Sequence, residues 1–583
     1  VHEFLALRTF FKRYWHRYAL GILWLLAVDL LQLVTPRLLG LFADAYEQGH
    51  LTLDKAARYA GLILGVAVLI AIGRYFWRMY IMGTARLLDY TLRQQLFEHL
   101  QGLSPSFFDR HKTGDLMAHA TNDVSAVRMA MGPGIVMAAD SLFLTVATVI
   151  SMVLVADWRL TLLALLPLPF LAWAVAHFGG QIHRRFRRVQ EAFSALTDHV
   201  QENLAGIRVV RSFAQEEAEE AKFTEANRAY VRTNMHLVRV WALFQPLVQF
   251  VSGLGFVVVL GYGGTLVLRG HISLGDFVAF NSYLGMLTWP VMALGFVINH
   301  LQRGAASMGR LNVIFAQRSE VQEAKRPLDV ARLRGSIEVR HLTFTYPGSP
   351  SPALRDVSFR LEPGQTLALV GRTGSGKSTL AQILLRLYDP PRGTVFLDGH
   401  DILDLPLARV REAIGYVSQE SFLFSTSVAA NIGFALEEPP PGRIEEASRI
   451  ACIDEEVAAL PHGYATEVGE RGVTLSGGQR QRVAIARAVA KDPTILILDD
   501  ALSAVDTQTE DRILSGLRDV IRSRTTILIA HRISTVQQAD QILILDEGRV
   551  AERGTHLQLV ARGGLYAWIH QRQLLEQSLA EEA

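Results

Sequence analysis

Cysteine is almost absent from this chain: Cys452 is the only one in 583 residues. No internal disulfide is possible, which excludes a disulfide-stapled secreted scaffold and suits a reducing cytoplasmic face. Lysine is nearly as scarce, with seven among 58 basic residues and arginine making up the rest. Charge as a whole is sparse, at 20% of residues, and the formal net charge is only +2. An excess that small gives no sign of a nucleic-acid partner, and none is expected. Tandem repeats and low-complexity segments are lacking too. What fills the space is apolar: half the residues are hydrophobic and the mean hydropathy is +0.21.

These residues are unevenly spread, and the chain is too long for a single hydrophobic core. Residues 1–310 hold long apolar runs, whereas 336–569 alternate short apolar runs with Gly-rich turns and charged segments. The reading is a membrane domain over 1–310, a linker over 311–335, a second domain over 336–569 and a tail over 570–583. Six runs lie near 18–42, 59–82, 133–155, 160–178, 240–267 and 277–299. Each reaches about the 20 residues a helix needs to cross the hydrocarbon. The first has no small-residue cleavage site at its end, so it is expected to be a span and not a removable leader.

Basic residues set the orientation. Arg8, Lys12, Arg13 and Arg17 precede the first run; Arg86 through Arg128 lie between the second and third; Arg184, Arg185, Arg187, Arg188, Arg208 and Arg211 lie between the fourth and fifth. The short loops near 44–57, 156–159 and 268–275 carry few. Both ends are expected on the cytoplasmic side of the cell membrane, with 84–131 and 180–238 as cytoplasmic helical hairpins. Polar residues interrupt the runs: Asp29, Arg37, Arg74, Arg78, Asp140, Gln245, Gln249 and Asn281. In lipid such groups are costly, so they are expected to face a cavity or one another. Phe244, Tyr283 and Trp289 are expected by default to pack facing lipid, with the lining of a pocket for an apolar ligand as the alternative.

Residues 366–379 read TLALVGRTGSGKST. An apolar β-run feeds a Gly-rich turn that opens a helix, the setting in which G-x-x-x-x-G-K-[ST] binds a nucleoside triphosphate. Gly371, Arg372, Thr373, Gly374, Ser375 and Gly376 form the turn, whose backbone N–H groups wrap phosphates at a helix N-terminus. Lys377 is expected on the β- and γ-phosphates, the Ser378 hydroxyl on Mg²⁺, and Thr379 beside it. A second apolar β-run, Ile495–Leu498, ends in Asp499, a second candidate for holding magnesium.

Further motifs narrow the class. Leu475-Ser476-Gly477-Gly478-Gln479 precedes a helix with arginines at 480, 482 and 487. Here the sequence resembles the ABC ATPase family, whose signature is LSGGQ. The resemblance extends through Tyr346, which it places on adenine, and Gln419, in the glutamine loop beside the metal. It continues through TEVGERG at 466–472, the Ser503-Ala504-Val505-Asp506 loop and the switch His531. GDLMAHATNDV at 114–124 resembles the first coupling segment of the exporter branch, with His119 where that branch usually has Arg, and QENLAGIRVVRSFAQE at 201–216 resembles the second. Taken together, the chain is most similar to one half of a heterodimeric bacterial exporter. The resemblance implies a polytopic α-helical membrane domain, six transmembrane helices with long cytoplasmic extensions, fused to an α/β P-loop ABC ATPase domain. It implies ATP and Mg²⁺ as cofactors and hydrolysis coupled to outward movement of amphipathic compounds, lipids or peptides. It also implies a second half-transporter as partner, because Ser476, Gly477, Gly478, Gln479 and Asp506 serve nucleotide held by the opposite chain.

One position departs from the pattern. The family has Asp-Glu after the second β-run, the Glu acting as general base; this chain has Asp499-Asp500. Asp is one methylene shorter, a retreat of roughly 1–1.5 Å, and misplacement near 1 Å costs about a hundredfold in rate. Asp500 is therefore expected to make a slow site, with His531 and Gln419 completing the catalytic set. The expected partner is a different chain that carries the Glu; a slow homodimer or an ATP-gated channel are the alternatives.

Overall fold

The computed structural model describes every residue except 1, 441, 470, 471, 473, 504–506 and 583. It divides into two compact units: residues 1–101 with 113–317, and residues 102–112 with 318–583.

In the first unit, six helices among the described residues are long and apolar enough to cross a membrane. They span His2–Glu47, Leu53–Gln101, Thr113–Val155, Trp158–Ala205, Glu216–Leu268 and Leu274–Phe315, and each contains one of the expected runs. In hydrocarbon every backbone N–H and C=O must be satisfied within the segment, which a helix does. At 42–53 residues all six are about twice the length a crossing needs, so each continues beyond the bilayer. Short loops are closed by side-chain caps: the Thr52 hydroxyl accepts from the Lys55 amide and the Ser273 hydroxyl from the Asp276 amide. The last long helix ends at Phe315, five residues past the boundary drawn at 310.

Some polar groups in the spans find partners inside the unit. Arg37 pairs with Asp276 at 2.6 Å, joining the first and sixth helices. The Tyr283 hydroxyl donates to the Leu33 carbonyl at 2.7 Å, and its ring is buried, packed inside the unit. Asp29 is also fully buried and accepts from Gln32.

In the second unit, ten strands among the described residues form two sheets. The smaller is antiparallel, ordered β2-β1-β4-β5: β1 is Ile337–Phe344, β2 Leu354–Leu361, β4 Val395–Leu397 and β5 His400–Asp401. The larger is ordered β10-β9-β3-β8-β7-β6. Its strands are β3 Thr366–Gly371, β6 Ile414–Val417, β7 Ile495–Asp499, β8 Thr525–Ile529, β9 Gln541–Asp546 and β10 Arg549–Gly554. All pairings from β9 to β6 are parallel, and β10 is an antiparallel edge. Every residue of β3, β7 and β8 is buried, as expected for parallel strands covered on both faces.

GDLMAHATNDV belongs to the first unit, inside the long helix Thr113–Val155, which takes a wide π-helical turn at His119–Asp123. The residues that pack with the ATPase unit lie just before it, at 102–112. There a short helix, Pro105–Arg110, starts on Pro at its first position, where the missing N–H costs nothing. It is tied down by the Glu320 amide donating to Ser104 Oγ at 3.3 Å, by Arg110–Glu320 at 3.3 Å and by Tyr388 donating to Asp109.

Candidate active site

The carboxyl ends of parallel strands are where an open α/β sheet holds ligands. Here four neighbouring ends converge: Gly371 at the end of β3, Asp499 on β7 in register with Ile529 on β8, and Val417 on β6 in register with Leu498. Beyond them lies a cavity of about 290 Å³. Tyr346, the turn residues Thr373–Thr379, Gln419, Asp499, Asp500 and His531 all line it. Residues scattered over 186 positions of sequence thus meet at one sheet edge, as the motifs implied.

The turn's glycines are needed where they stand. Gly376 has φ +98°, and a Cβ there would fall 2.7 Å from the Ala353 carbonyl oxygen. At Gly371 a Cβ would come within 2.1 Å of the Leu545 carbonyl oxygen on β9, so no side chain fits between the adjacent strands. Lys377 opens the helix Lys377–Leu384 and is buried; its Nζ donates to the carbonyl oxygens of Gly371 at 2.9 Å and Arg372 at 2.8 Å. Burial pulls its pKa below the usual lysine range, against the attraction of Asp499 and Asp500. A cation so placed, short of counter-charge, suits the oxygens of a polyphosphate.

Asp499 shows the opposite shift. Burial raises its pKa, while hydrogen bonds from Ser378 and Tyr416 work to lower it. The Ser378 hydroxyl donates to Asp499 Oδ1 at 3.0 Å and the Tyr416 hydroxyl to Oδ2 at 3.3 Å. Hydroxyl, carboxylate and the nearby Gln419 amide make an all-oxygen donor set, which suits a hard cation such as Mg²⁺. Next in the chain, Asp500 has left-handed backbone, φ +50°, held by its amide donating to the Ile529 carbonyl at 2.8 Å.

Tyr346 is fixed at both ends. Its hydroxyl donates to Gln382 Oε1 at 2.9 Å and lies 3.0 Å from Thr379 Oγ1, and its ring stands perpendicular to that of Tyr388, centroids 5.0 Å apart. The ring is thereby presented as a stacking surface. Tyr388, Tyr416 and Gln382 were not singled out in the sequence. Tyr416 sits on β6 three residues before Gln419, so strand alternation beside the glutamine loop was its only signal.

Ser476, Gly477, Gly478 and Gln479 are not brought to this cavity. They form the start of the helix Gly477–Ala490, where Ser476 Oγ accepts from the Gln479 amide at 3.2 Å and Gln479 Oε1 accepts from the Ser476 amide at 2.8 Å. This reciprocal cap fixes the turn. The Gln479 side chain also donates to Glu456, which pairs with Arg482 at 2.6 Å. Ser476 itself is exposed, so the turn is open to solvent and lies outside the lining of the chain's own cavity. Asp506, with Ala504 and Val505, lies outside the described residues, as do Glu470 and Arg471 of the 466–472 run.

Comparison with known proteins agrees with this geometry. Residues 18–291 match the family model described as ABC transporter transmembrane region, and 354–503 match the one described as ABC transporter. The chain is 41% identical over 566 residues to "Probable multidrug resistance ABC transporter ATP-binding/permease protein YheI" of Bacillus subtilis, covering 97% of each. It is 38% identical to "Multidrug resistance-like ATP-binding protein MdlA" of Escherichia coli, covering 99% of this chain and 97% of that one. A solved bacterial Atm1-family ABC exporter with ATP bound superposes with a TM-score of 0.75 at 29% identity, covering 97% of this chain and 98% of that one. A six-helix membrane domain, one ATPase site at a parallel sheet edge and full-length likeness to exporters lead to one assignment: the chain belongs to the ABC transporter family, as an exporter half-transporter that couples ATP hydrolysis to transport across the cell membrane.

Proposed function

We propose that this chain is the slow-site half of a heterodimeric exporter that moves amphipathic compounds, lipids or peptides outward. The observation that carries it is Asp500 beside Asp499 in the nucleotide cavity, where the family places a Glu. ATP bound here with Mg²⁺ on Ser378, Asp499 and Gln419 is held and turned over slowly. The intact Ser476–Gln479 turn serves a partner half-transporter whose own site carries the Glu.

Exposed apolar surface outside the spans supports a dimer. The tip of the fourth-to-fifth hairpin leaves Val209 62% and Phe213 71% exposed, and the ATPase unit exposes the stacked pair Phe424 and Phe434, 4.6 Å apart. A lone chain would leave both patches in water. The multidrug-resistance names of the relatives support amphipathic cargo.

The test compares two variants in the purified native assembly. Asp500→Asn should leave most steady-state ATPase and transport intact, because it touches only the slow site. Gly477→Asp should abolish both, since a carboxylate would face the γ-phosphate of the fast one; losing one stabilising donor costs about 2.7–4 kcal/mol in comparable sites. Equal, near-complete loss from Asp500→Asn would sink the asymmetric reading and leave a slow homodimer.

A further inference from the structure

Between β8 and the short helix Ile533–Val536 the chain makes the turn that carries His531 to the nucleotide cavity. The turn is thinly secured by its own residues. Arg532 stands at the N-cap of Ile533–Val536, where an oxygen-bearing side chain would accept from the first unpaired amides, and its side chain makes no such bond. Arginine has donors only. This one is drawn aside to the carboxylate of Glu510, which is buried on the helix Thr507–Arg522 and also accepts from the Thr535 hydroxyl.

The missing partner comes from the last helix, Leu565–Glu582. Gln573 on that helix accepts from the Ile533 amide through Oε1 at 2.8 Å and donates through Nε2 to the His531 carbonyl at 2.6 Å. One carboxamide therefore holds a peptide group on each side of Arg532. Its orientation is unambiguous, because a main-chain N–H can only donate and a carbonyl only accept. Asn would be a methylene short, and ionised Glu has no donor for the carbonyl.

The helix that carries Gln573 is itself anchored. Its first amides, those of Leu565 and Tyr566, donate to the Glu552 carboxylate on β10. Gly564 leaves room for that approach, since a Cβ there would fall 2.1 Å from Glu552 Oε1. Tyr566 is fully buried, with its hydroxyl 2.8 Å from His556 Nδ1, in a core shared with Val370, Ala530 and Ile533. Val370 leads into the phosphate turn, and Ala530 and Ile533 flank the switch turn. One core thus fixes the brace, the strand before the phosphates and both sides of the turn. The His531 residue stays exposed, so it is the backbone that these contacts hold.

We propose that Gln573 is a positioning residue for His531: by bridging the two peptide groups around Arg532, it sets where the imidazole stands against the γ-phosphate of ATP on this chain's Lys377 turn. The proposal rests on His531 being the switch residue of this site. Gln573 is outside the cavity lining, so it acts through His531 alone. ADP has no γ-phosphate, and its binding should not depend on the brace.

The test uses the full assembly photolabelled with 8-azido-ATP, the crosslink being read on this chain's peptides by mass spectrometry, with AMP-PNP and ADP as competitors. Gln573→Met keeps the length and removes the strong donor and acceptor. It should weaken AMP-PNP about fivefold, the scale of one neutral hydrogen bond, while ADP stays within about twofold. Amide exchange over 530–536 should quicken in the same variant. Gln573→Glu keeps the acceptor for Ile533 and loses the donor, so its effect should be intermediate. His531→Ala should also weaken AMP-PNP, and adding Gln573→Met to it should cost nothing further, since residues acting through one contact are not additive. A role confined to packing would lower both competitors alike and add in the double variant. Either result overturns the proposal, as does unchanged exchange over 530–536. If His531→Ala leaves the preference for AMP-PNP intact, the switch assignment falls and the brace with it; if only Gln573→Met leaves it intact, the brace alone falls. The label is read on this chain, so failure of the Asp500 and Gly477 comparison leaves the brace standing.

Discussion

The Tyr388 hydroxyl donates a hydrogen bond to the carboxylate of Asp109, 279 residues earlier in the chain. Asp109 belongs to the short helix Pro105–Arg110, and Tyr388 stands against the ring of Tyr346 in the nucleotide cavity. One side chain thus touches both the Tyr346 ring and the segment that links the second and third membrane helices. Burial, and then the adjacent carboxylate, push the Tyr388 hydroxyl above the usual tyrosine range, so it stays a donor at any physiological pH.

Tyr388→Phe keeps the ring contact and removes the donor. Hydrogen bonds to charged groups contribute about 1.5–3 kcal/mol net, and exposure of Asp109 places this one at the low end. Amide exchange across 102–112 should quicken several-fold while ATP affinity stays within twofold. Unchanged exchange would mean that Ser104 and Arg110 hold the segment without help from Tyr388.

Lys377 and Tyr346 should separate phosphate from base. Lys377→Ala deletes the buried cation and should weaken ATP and inorganic triphosphate alike, by tenfold or more. Tyr346→Ala removes a stacking surface worth about 1–3 kcal/mol per base by alanine substitution. It should weaken ATP and leave inorganic triphosphate untouched. Equal effects on both ligands in both variants would show that the two residues do not divide the nucleotide in this way.

The part of the third long helix that precedes its apolar run carries a pH signature. His119 Nδ1 lies 2.6 Å from Asp123 Oδ2, and Arg310 on the sixth helix donates to both oxygens of Asp123. Burial works to raise the Asp123 pKa, but hydrogen bonds from Arg310, His119 and Ser307 hold it below the usual carboxylate range. A carboxyl with a depressed folded pKa stabilises the fold above its unfolded pKa, and that stability is lost as pH falls through the folded value. Wild type should therefore exceed Asp123→Asn in thermal stability by a constant margin, about 1–2 kcal/mol with Arg310 half exposed, from pH 8 down to about 4.5. The gap should close only below that. A margin that widens on acidification would contradict the assigned pairing.

What could be read in the sequence was local. Hydropathy gave the six spans because bilayer thickness sets a length that composition alone reveals. The phosphate turn was legible because Gly371 and Gly376 occupy places where a Cβ would strike backbone, and the Ser476 turn because Ser and Gln three apart cap each other. What escaped depends on contacts far apart in the chain. Nothing near Tyr416 or Tyr388 announces that their hydroxyls reach Asp499 and Asp109. Membership of 102–112 in the ATPase unit rests on packing, not on the conspicuous GDLMAHATNDV beside it.

Asp500 sets the last prediction. If reach limits the site, Asp500→Glu should raise turnover at this chain's nucleotide, by up to about a hundredfold for a gain near 1 Å. The backbone opposes part of that gain. Position 500 has φ +50°, a region that Asp and Asn tolerate better than longer side chains, so Glu must accept a conformation it disfavours. The anchor that imposes it is the Asp500 amide bonded to the Ile529 carbonyl, a main-chain contact the substitution leaves in place. The carboxylate should therefore extend into the cavity without release of the strand end. The measurement is single-turnover hydrolysis in the native assembly with the partner's general base removed, so that the fast site contributes nothing. A rise marks Asp500 as the cause of slowness. In the proposed heterodimer, no rise with Glu in place and ATP bound would move the cause to the turn that the partner is proposed to supply.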